Sequence, residues 1–308
     1  MTESGAFQAC DTIRFMADAR PIGIFDSGVG GLTVFKAIQQ RLKHESLLYF
    51  GDTARVPYGT KSAETVRRYA LECATFLSDQ GVKMFIIACN SASALALDAL
   101  RERFDVPVIG VIEAGARAAV SATRTGRVGV LGTESTIKSG AYNAILSQLQ
   151  PGIRVISQPC PLFVPLVEEG WADDPITQLV AERYLKPLLT AAGAARSQGE
   201  RFDTVILGCT HYPLLAEVLV RVMGHDVCLV DSAEEVARET ETVLRERGLA
   251  AAPGGKIECE FYVSDLSDRF IRIAERILGR PMDRLAAVVP SEILSSPASP
   301  PRKRHAQR

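Results

Sequence analysis

The fold of this chain is constrained most by a series of short apolar runs without alternating polar positions, among them "PIGIFD", "VKMFIIACN", "RVGVLGT" and "DTVILGCT". Strands of this composition are typically buried on both faces, as in a parallel sheet. Segments with a helical apolar stripe lie between them, for example Val34, Ile38 and Leu42. This alternation of strands and helices predicts a doubly wound α/β fold with mainly parallel sheets.

The chain contains two halves with similar features. "IGIFDSG" opens the first half and "VGVLGTEST" opens the second, and each half later supplies a strand that ends in a cysteine, Cys89 or Cys209. A length of 308 residues is enough for two domains. Ligands of open α/β sheets bind at the carboxyl ends of the strands. Two pseudo-symmetric domains that face each other would therefore bring the two thiols together across a cleft.

Charge and hydropathy argue against several classes of protein. Lys and Arg total 35 against 36 Asp and Glu, so a net charge of -1 gives no general attraction to nucleic acid or to an anionic membrane. No segment approaches the roughly 18 apolar residues of a membrane-spanning helix, and the first residues lack the apolar core of a signal peptide. We therefore expect a cytoplasmic protein without a nucleic-acid or membrane partner. Residues 1–20 and 288–308 are predicted to be tails.

The seven cysteines include no CxxC pair, and the four histidines show no metal-ligand spacing with them. We therefore expect no disulfide, no metal site and no cofactor. Cys73, Cys228 and Cys259 fall within predicted helices or strands and are interpreted as small buried apolar residues. Cys160 lies between two prolines in a predicted loop, with no neighbour that would activate it.

Cys89 and Cys209 differ from the other cysteines in their position. Cysteines are often simply buried, but each of these two ends a strand and precedes a predicted helix start. Backbone N–H groups and the helix dipole at such a position lower the pKa of a thiol from about 8.5. Both thiols are therefore candidate acid/base groups.

Three segments offer polar neighbours for the thiols. Two of these segments directly follow the first and second predicted strands. The third contains a histidine two positions after the second thiol, where it could accept or return a proton. These candidate residues are Asp26 and Ser27 in "FDSGVGGLT", Asp52, Arg55, Tyr58 and Gly59 in "GDTARVPYGTKS", and His211 in "CTHYP".

Six segments, in this order, resemble the glutamate racemase family: "IGIFDSGVGGLTV", "YFGDTARVPYGTKS", "ACNSASA", "GVIEAGA", "PLFVPLVEEG" and "GCTHYPLL". The resemblance extends from Pro21 to about Pro281. It implies two α/β domains with the active site in the cleft between them. It assigns residues 21–117 and 228–287 to a discontinuous first domain and residues 118–227 to the second. It also implies a homodimer that supplies D-glutamate for peptidoglycan.

The same resemblance implies the roles of individual residues. Cys209 would deprotonate L-glutamate and Cys89 would deprotonate D-glutamate. Asp26, His211 and Glu168 would assist, with Glu169 as the alternative to Glu168. The residues expected to hold the ammonium and carboxylate groups of L- and D-glutamate are Asp26, Ser27, Tyr58, Gly59, Asn90, Ser91, Thr210 and His211.

The chemistry of racemisation requires such an arrangement. Inversion of an α-carbon needs a base on one face and an acid on the other, because one base that returns its proton restores the starting enantiomer. Aimed hydrogen-bond donors must stabilise the carbanionic charge. Two alternatives remain open at this point: a racemase of the same superfamily that acts on aspartate or another amino acid, and a non-catalytic binding protein.

Overall fold

A computed structural model describes residues 17–193 and 202–288 of the chain. The first part contains four strands that alternate with helices. They are β1 (Ile22–Asp26), α1 (Leu32–Arg41), β2 (Leu47–Gly51), α2 (Ala63–Asp79), β3 (Met84–Ile87), α3 (Asn90–Arg103) and β4 (Val108–Gly110). Helix α4 (Val111–Ala122) then leads to a second sheet. The apolar run "PVIGVIE" also predicts a strand from sequence, but its last three residues, "VIE", belong to this helix.

The second unit contains β5 (Arg127–Gly132), α5 (Glu134–Ser139), α6 (Ala141–Leu149), β6 (Arg154–Pro159), α7 (Phe163–Glu168), α8 (Pro175–Gly193), β7 (Thr204–Gly208), α9 (Ala216–Met223) and β8 (Cys228–Val230). Helix α10 (Ala233–Glu246) returns the chain to the first sheet. There it forms β9 (Cys259–Val263), α11 (Asp268–Leu278) and β10 (Leu285–Ala287). The short β10 was not predicted; two of its three residues, Ala286 and Ala287, are exposed.

The strands form two sheets, in the orders β10-β9-β2-β1-β3-β4 and β6-β5-β7-β8. Every strand pair among the described residues is parallel. The predicted architecture of two doubly wound α/β units is therefore confirmed. In β1, Ile22 and Ile24 pack into the core on one face of the sheet and Phe25 into the core on the other. Burial on both faces explains why the strand sequences lack polar positions.

The boundary of the second unit differs from the prediction. β8 pairs with β7, with Thr204 opposite Cys228, so the chain leaves the second sheet only after Val230. The return to the first unit was expected at residue 228. The prediction that Cys228 is buried is wrong, because β8 is an edge strand and its first side chain is exposed.

The ends of the described chain pack on the first unit. Asp18 donates its backbone N–H to the Ala250 carbonyl (3.3 Å), and its own carbonyl accepts from Lys83 Nζ (2.7 Å). Residues 17–20 are therefore held, in contrast to the predicted tail. Val288 is also buried and donates to the Val263 carbonyl (2.8 Å). The remainder of the predicted tails, residues 1–16 and 289–308, lies outside the described residues.

No helix in the described ranges combines the length and the apolar character needed to cross a bilayer.

Candidate active site

The carboxyl ends of β1, β3, β5 and β7 meet at a cavity between the two sheets. The empty space there is about 290 Å³, including the part open to solvent. Most of the predicted site residues line it, namely Ser27, Tyr58, Gly59, Cys89, Asn90, Ser91, Cys209, Thr210 and His211. Four lining residues were not predicted: Val56, Pro57, Thr133 and Val164. Asp26 and Glu168 lie behind this lining and contact Thr210 and His211.

Cys89 lies between β3 and α3, at the N-cap position of the helix, as predicted. Its side chain is buried, and its Sγ donates to Ser27 Oγ at 3.6 Å. Burial raises the pKa of the Cys89 thiol to about 12, and the nearby charge of Asp26 contributes in the same direction. In the arrangement described, Cys89 is therefore a thiol that can donate a proton.

Cys209 has a different environment. It precedes a helical segment, as predicted, but unlike Cys89 it is not at an N-cap position, because a 3₁₀ turn at Tyr212–Leu215 lies between it and α9. Its Sγ instead lies 3.9 Å from Nδ1 of His211. The His211 imidazole is therefore the group positioned to exchange a proton with this thiol.

His211 connects Cys209 to a carboxylate. Its Nε2 lies 2.7 Å from Glu168 Oε1, at the end of α7. Burial lowers the pKa of His211, but hydrogen bonds to Cys209 and Glu168 outweigh burial and raise it well above 6.5. The protonated form of the imidazole is therefore favoured, which places a positive charge beside the Cys209 sulfur.

The two adjacent glutamates at the C-terminal end of α7 contact different partners. Glu168 contacts His211, whereas Glu169 forms an ion pair with Arg269 at 2.8 Å, on the exposed side of the helix. Of the two carboxylates left open by the sequence, Glu168 is thus the one that reaches the site.

Asp26 is fully buried at the end of β1. Its Oδ2 accepts from the Gly28 backbone N–H (3.0 Å) and its Oδ1 from the Thr210 hydroxyl (3.3 Å). The contact with Thr210 joins the first sheet to the loop that carries Cys209. Asp26 acts on Cys89 through its charge.

We expect Asp26→Asn to stabilise the folded chain at neutral pH while it lowers activity. Burial raises the pKa of Asp26 above 3.8 and so disfavours the ionised form. A raised carboxyl pKa contributes stability below pH 3.8 that is lost as pH rises through the folded-state pKa. Thermal unfolding at pH 7 should show a Tm about 2 °C or more above wild type, the shift that corresponds to ~1 kcal/mol in a chain of this size.

The gain in Tm for Asp26→Asn should disappear at a pH below the usual carboxyl pKa, where Asp26 is neutral in both states. The amide can keep its hydrogen bonds to Gly28 and Thr210, since the Thr210 hydroxyl can reverse from donor to acceptor. An unchanged or lower Tm at pH 7 would contradict the assignment of Asp26 as a buried carboxylate with a raised pKa.

A cluster of hydroxyl groups joins the two units at one side of the cavity. Ser91, on α3, lies 3.0 Å from Thr133 Oγ1 and 3.3 Å from Thr136 Oγ1, and it accepts from Ser135 Oγ at 3.0 Å. None of these three partners was predicted as a site residue from the sequence. They belong to "GTEST", directly after β5, so the rule that pointed to Asp26 and Cys89 at strand ends could have identified them.

The loop that carries Tyr58 and Gly59 is held by buried polar contacts. Asp52 accepts from the Tyr58 hydroxyl, from Arg55 Nε (2.7 Å) and from Ser264 Oγ (2.8 Å). A Cβ on Gly59 would lie 2.4 Å from Thr133 Cβ, so glycine permits this loop to touch the second unit. Asp52 and Arg55, which the sequence offered as candidate neighbours of the thiols, thus support the cavity wall from outside the lining.

The other thiols in the described part of the chain lie outside the cavity lining. Cys160, left open by the sequence, is buried in the core of the second unit, and its Sγ donates to the Gln158 carbonyl at 3.6 Å. Burial raises its pKa. Cys73 is buried beside Tyr58, as predicted, while Cys259 is half-buried.

Within the described ranges, no group of three or more His, Cys, Asp or Glu side chains is placed to hold a metal ion.

Comparisons with known proteins place this geometry in a family. Residues 22–240 match the sequence profile of the Asp/Glu/Hydantoin racemase family. The chain is 51% identical to the glutamate racemase of Geobacter metallireducens, over 84% of this chain and 93% of that one. It is also 51% identical to the glutamate racemase of Syntrophus aciditrophicus, over 85% of this chain and 94% of that one.

Solved structures agree with these sequence matches. The crystal structure of Francisella tularensis glutamate racemase in complex with D-glutamate is similar at a TM-score of 0.80 and 40% identity, covering 88% of this chain and 98% of that one. The glutamate racemase from Thermus thermophilus, in complex with β-chloro-D-alanine, is similar at a TM-score of 0.76 and 43% identity, covering 90% and 100%.

Proposed function

Because this chain belongs to the Asp/Glu/Hydantoin racemase family, we propose that it is a glutamate racemase that interconverts L- and D-glutamate by a cofactor-independent two-base mechanism. The observation that carries the proposal is that two thiols, Cys89 after β3 and Cys209 after β7, line one cavity from two different sheets. A substrate held between them presents one face of its α-carbon to each sulfur.

For L-glutamate, the thiolate of Cys209 removes the α-proton and the thiol of Cys89 delivers a proton to the opposite face. The thiol state of Cys89 and the positive charge of His211 beside Cys209 suit this direction. After one turnover Cys209 holds a proton and Cys89 is a thiolate, which is the state that D-glutamate requires. Exchange of these protons with water restores the starting state.

Polar groups of the cavity lining bind the charged ends of the substrate in this proposal. Asn90 and Ser91 can donate to a carboxylate, Thr210 lines the same cavity while its hydroxyl donates to Asp26, and Ser27 lies next to Cys89. Such donors stabilise the negative charge that develops when the α-proton leaves. The Asp26 carboxylate lies close behind the lining, where it can interact with the ammonium group.

The proposal includes the biological setting implied by the family resemblance. D-Glutamate would be supplied for peptidoglycan synthesis by a homodimer in the cytoplasm. Size-exclusion chromatography with light scattering would test the homodimer.

We expect purified protein to abolish the circular-dichroism signal of L-glutamate without any added cofactor and in the presence of EDTA. The signal should decay to zero, because the two enantiomers have equal free energy. L-Aspartate in a parallel sample should react with a much lower kcat/KM. No decay with glutamate, dependence on a metal, or faster decay with aspartate would each contradict the proposal.

A further inference from the structure

Tyr142 is a buried tyrosine of the second unit that contacts the first. It is the second residue of α6 and is 2% exposed. Its hydroxyl donates to Oδ1 of Asn90 at 2.8 Å. Asn90 is the first residue of α3, directly after Cys89, and lines the cavity. The tyrosine thus contacts a cavity residue from behind, without itself lining the cavity.

Two glycines leave the space that the Tyr142 ring occupies. A Cβ on Gly115, in α4, would lie 3.1 Å from the phenol oxygen. A Cβ on Gly208, the residue before Cys209, would lie 3.1 Å from Cε2 of the ring. The ring is therefore enclosed between the helix that crosses to the second sheet and the strand that ends at the second thiol. Its hydroxyl has little freedom to leave Asn90.

The direction of the hydrogen bond follows from the chemistry of the two groups. Burial raises the pKa of the Tyr142 phenol, with further contributions from the charges of Asp231 and Cys209, so the phenol keeps its proton. A phenol has one proton to donate, and an asparagine amide accepts through Oδ1 and donates through Nδ2. With Oδ1 occupied, Nδ2 is the polar atom of Asn90 that remains for the cavity.

We infer that Tyr142 is a positioning residue: its hydroxyl holds the amide of Asn90 so that Nδ2 faces the cavity and donates to a carboxylate of glutamate. This inference rests on the proposed racemase function. Without the phenol hydroxyl, the amide could rotate and present Oδ1 to the carboxylate, which would repel it. Tyr142 would thus determine the sign of one partial charge in the cavity, although it does not touch the substrate.

The test is a double-mutant cycle of Tyr142→Phe and Asn90→Ala, with glutamate racemisation as the readout. Tyr142→Phe retains the ring and removes only the hydroxyl. We expect it to lower kcat/KM about tenfold, mainly through a higher KM, as is typical for the loss of a hydrogen bond near a charged group. In the Asn90→Ala background the same change should cost less than about twofold, since the group it positions is absent.

A matched control is Tyr212→Phe. Tyr212 is also fully buried and donates to a main-chain carbonyl, that of Cys160, at the same 2.8 Å. We expect Tyr212→Phe and Tyr142→Phe to lower Tm to a similar extent, because each removes one buried hydrogen bond. For Tyr212→Phe, however, kcat/KM should stay within about twofold of wild type. Equal losses for Tyr142→Phe in the presence and absence of Asn90 would overturn the inference, because a merely structural effect does not depend on the amide.

Asn90→Asp provides a second test that does not require the tyrosine variant to fold. One Asp oxygen can still accept from Tyr142, which leaves the other oxygen facing the substrate carboxylate. We expect kcat/KM to fall more than about tenfold, because a donor has become a like charge. Activity near that of wild type would show that the cavity needs no donor there and would overturn the inference.

An assay of the wild-type protein in parallel distinguishes a failure of the proposed racemase function from a failure of the positioning role of Tyr142. An inactive wild type would overturn the proposed function together with the inference. An active wild type with additive losses in the double-mutant cycle would overturn the inference alone.

Discussion

Replacing either Cys89 or Cys209 by serine is expected to lower kcat/KM for glutamate racemisation by about 10³-fold or more, the upper range for loss of a general acid or base. Both thiols line the same cavity from different sheets, and each proton transfer needs one of them. A serine alkoxide is far harder to generate than a thiolate. A serine hydroxyl can still donate a proton, so each variant should lose mainly its role as a base.

A substrate that needs only one deprotonation separates the two roles. When the α-proton of N-hydroxyglutamate is removed, the N–O bond breaks and hydroxide leaves. The resulting imine hydrolyses to 2-oxoglutarate and ammonia. Cys89→Ser should still release 2-oxoglutarate from the L-analogue, through Cys209. Cys209→Ser should do so only from the D-analogue, through Cys89.

Cys228→Ser is the matched control, since this thiol is exposed on the edge strand β8 and away from the cavity. It should racemise glutamate at the wild-type rate. If either Cys89→Ser or Cys209→Ser did the same, or if both lost elimination from the same enantiomer, the assignment of the two bases would be wrong.

His211→Asn is expected to lower elimination from the L-analogue by about 10²-fold or more, the lower range for an acid/base group. His211 is the cation beside Cys209, at 3.9 Å, and its raised pKa depends on Cys209 and Glu168. Loss of that charge should impair the reaction in which Cys209 is the base. Elimination from the D-analogue, which needs only Cys89, should fall much less.

Glu168→Gln and Glu169→Gln form a matched pair for the same dyad. Glu168 lies 2.7 Å from His211, whereas its neighbour pairs with Arg269. The first variant should reproduce the direction of the His211→Asn effect, to a smaller extent, and the second should leave both eliminations unchanged. Equal losses for the L- and D-analogues in His211→Asn would contradict a specific link between His211 and Cys209.

Racemisation of glutamate itself cannot replace the analogues in these tests. The two enantiomers have equal free energy, so the kcat/KM values of the two directions remain equal in every variant. Only a reaction that stops after one deprotonation reports on one thiol at a time.

The elements of the fold and the principal site residues could be predicted from local sequence. Unbroken apolar runs such as that of β1 predicted parallel strands, since both faces of each strand are buried. Cys89 and Cys209 were identified because each follows such a run, and a strand end in an open sheet is where ligands bind. These features depend on residues that are neighbours along the chain.

The contacts that organise the cavity depend instead on residues far apart in the sequence. Whether Glu168 or Glu169 reaches His211 is decided by the face of α7 that packs inward. The bond between Tyr142 and Asn90 joins the two units. The hydrophobic periodicity of the sequence predicts which residues form a helix, but it does not predict which residues of another element that helix contacts.

The sequence by itself therefore determined the parallel α/β architecture and the two thiols at strand ends, because burial on both faces and strand-to-helix transitions leave local signals. Tertiary structure alone decided that β8 is an exposed edge strand, that the Cys209 thiol lies beside the His211 imidazole, and that Ser91 is the residue that contacts the hydroxyl groups of "GTEST". Each of these outcomes is a distance between groups on separate elements, and such distances are set by how the two sheets pack together.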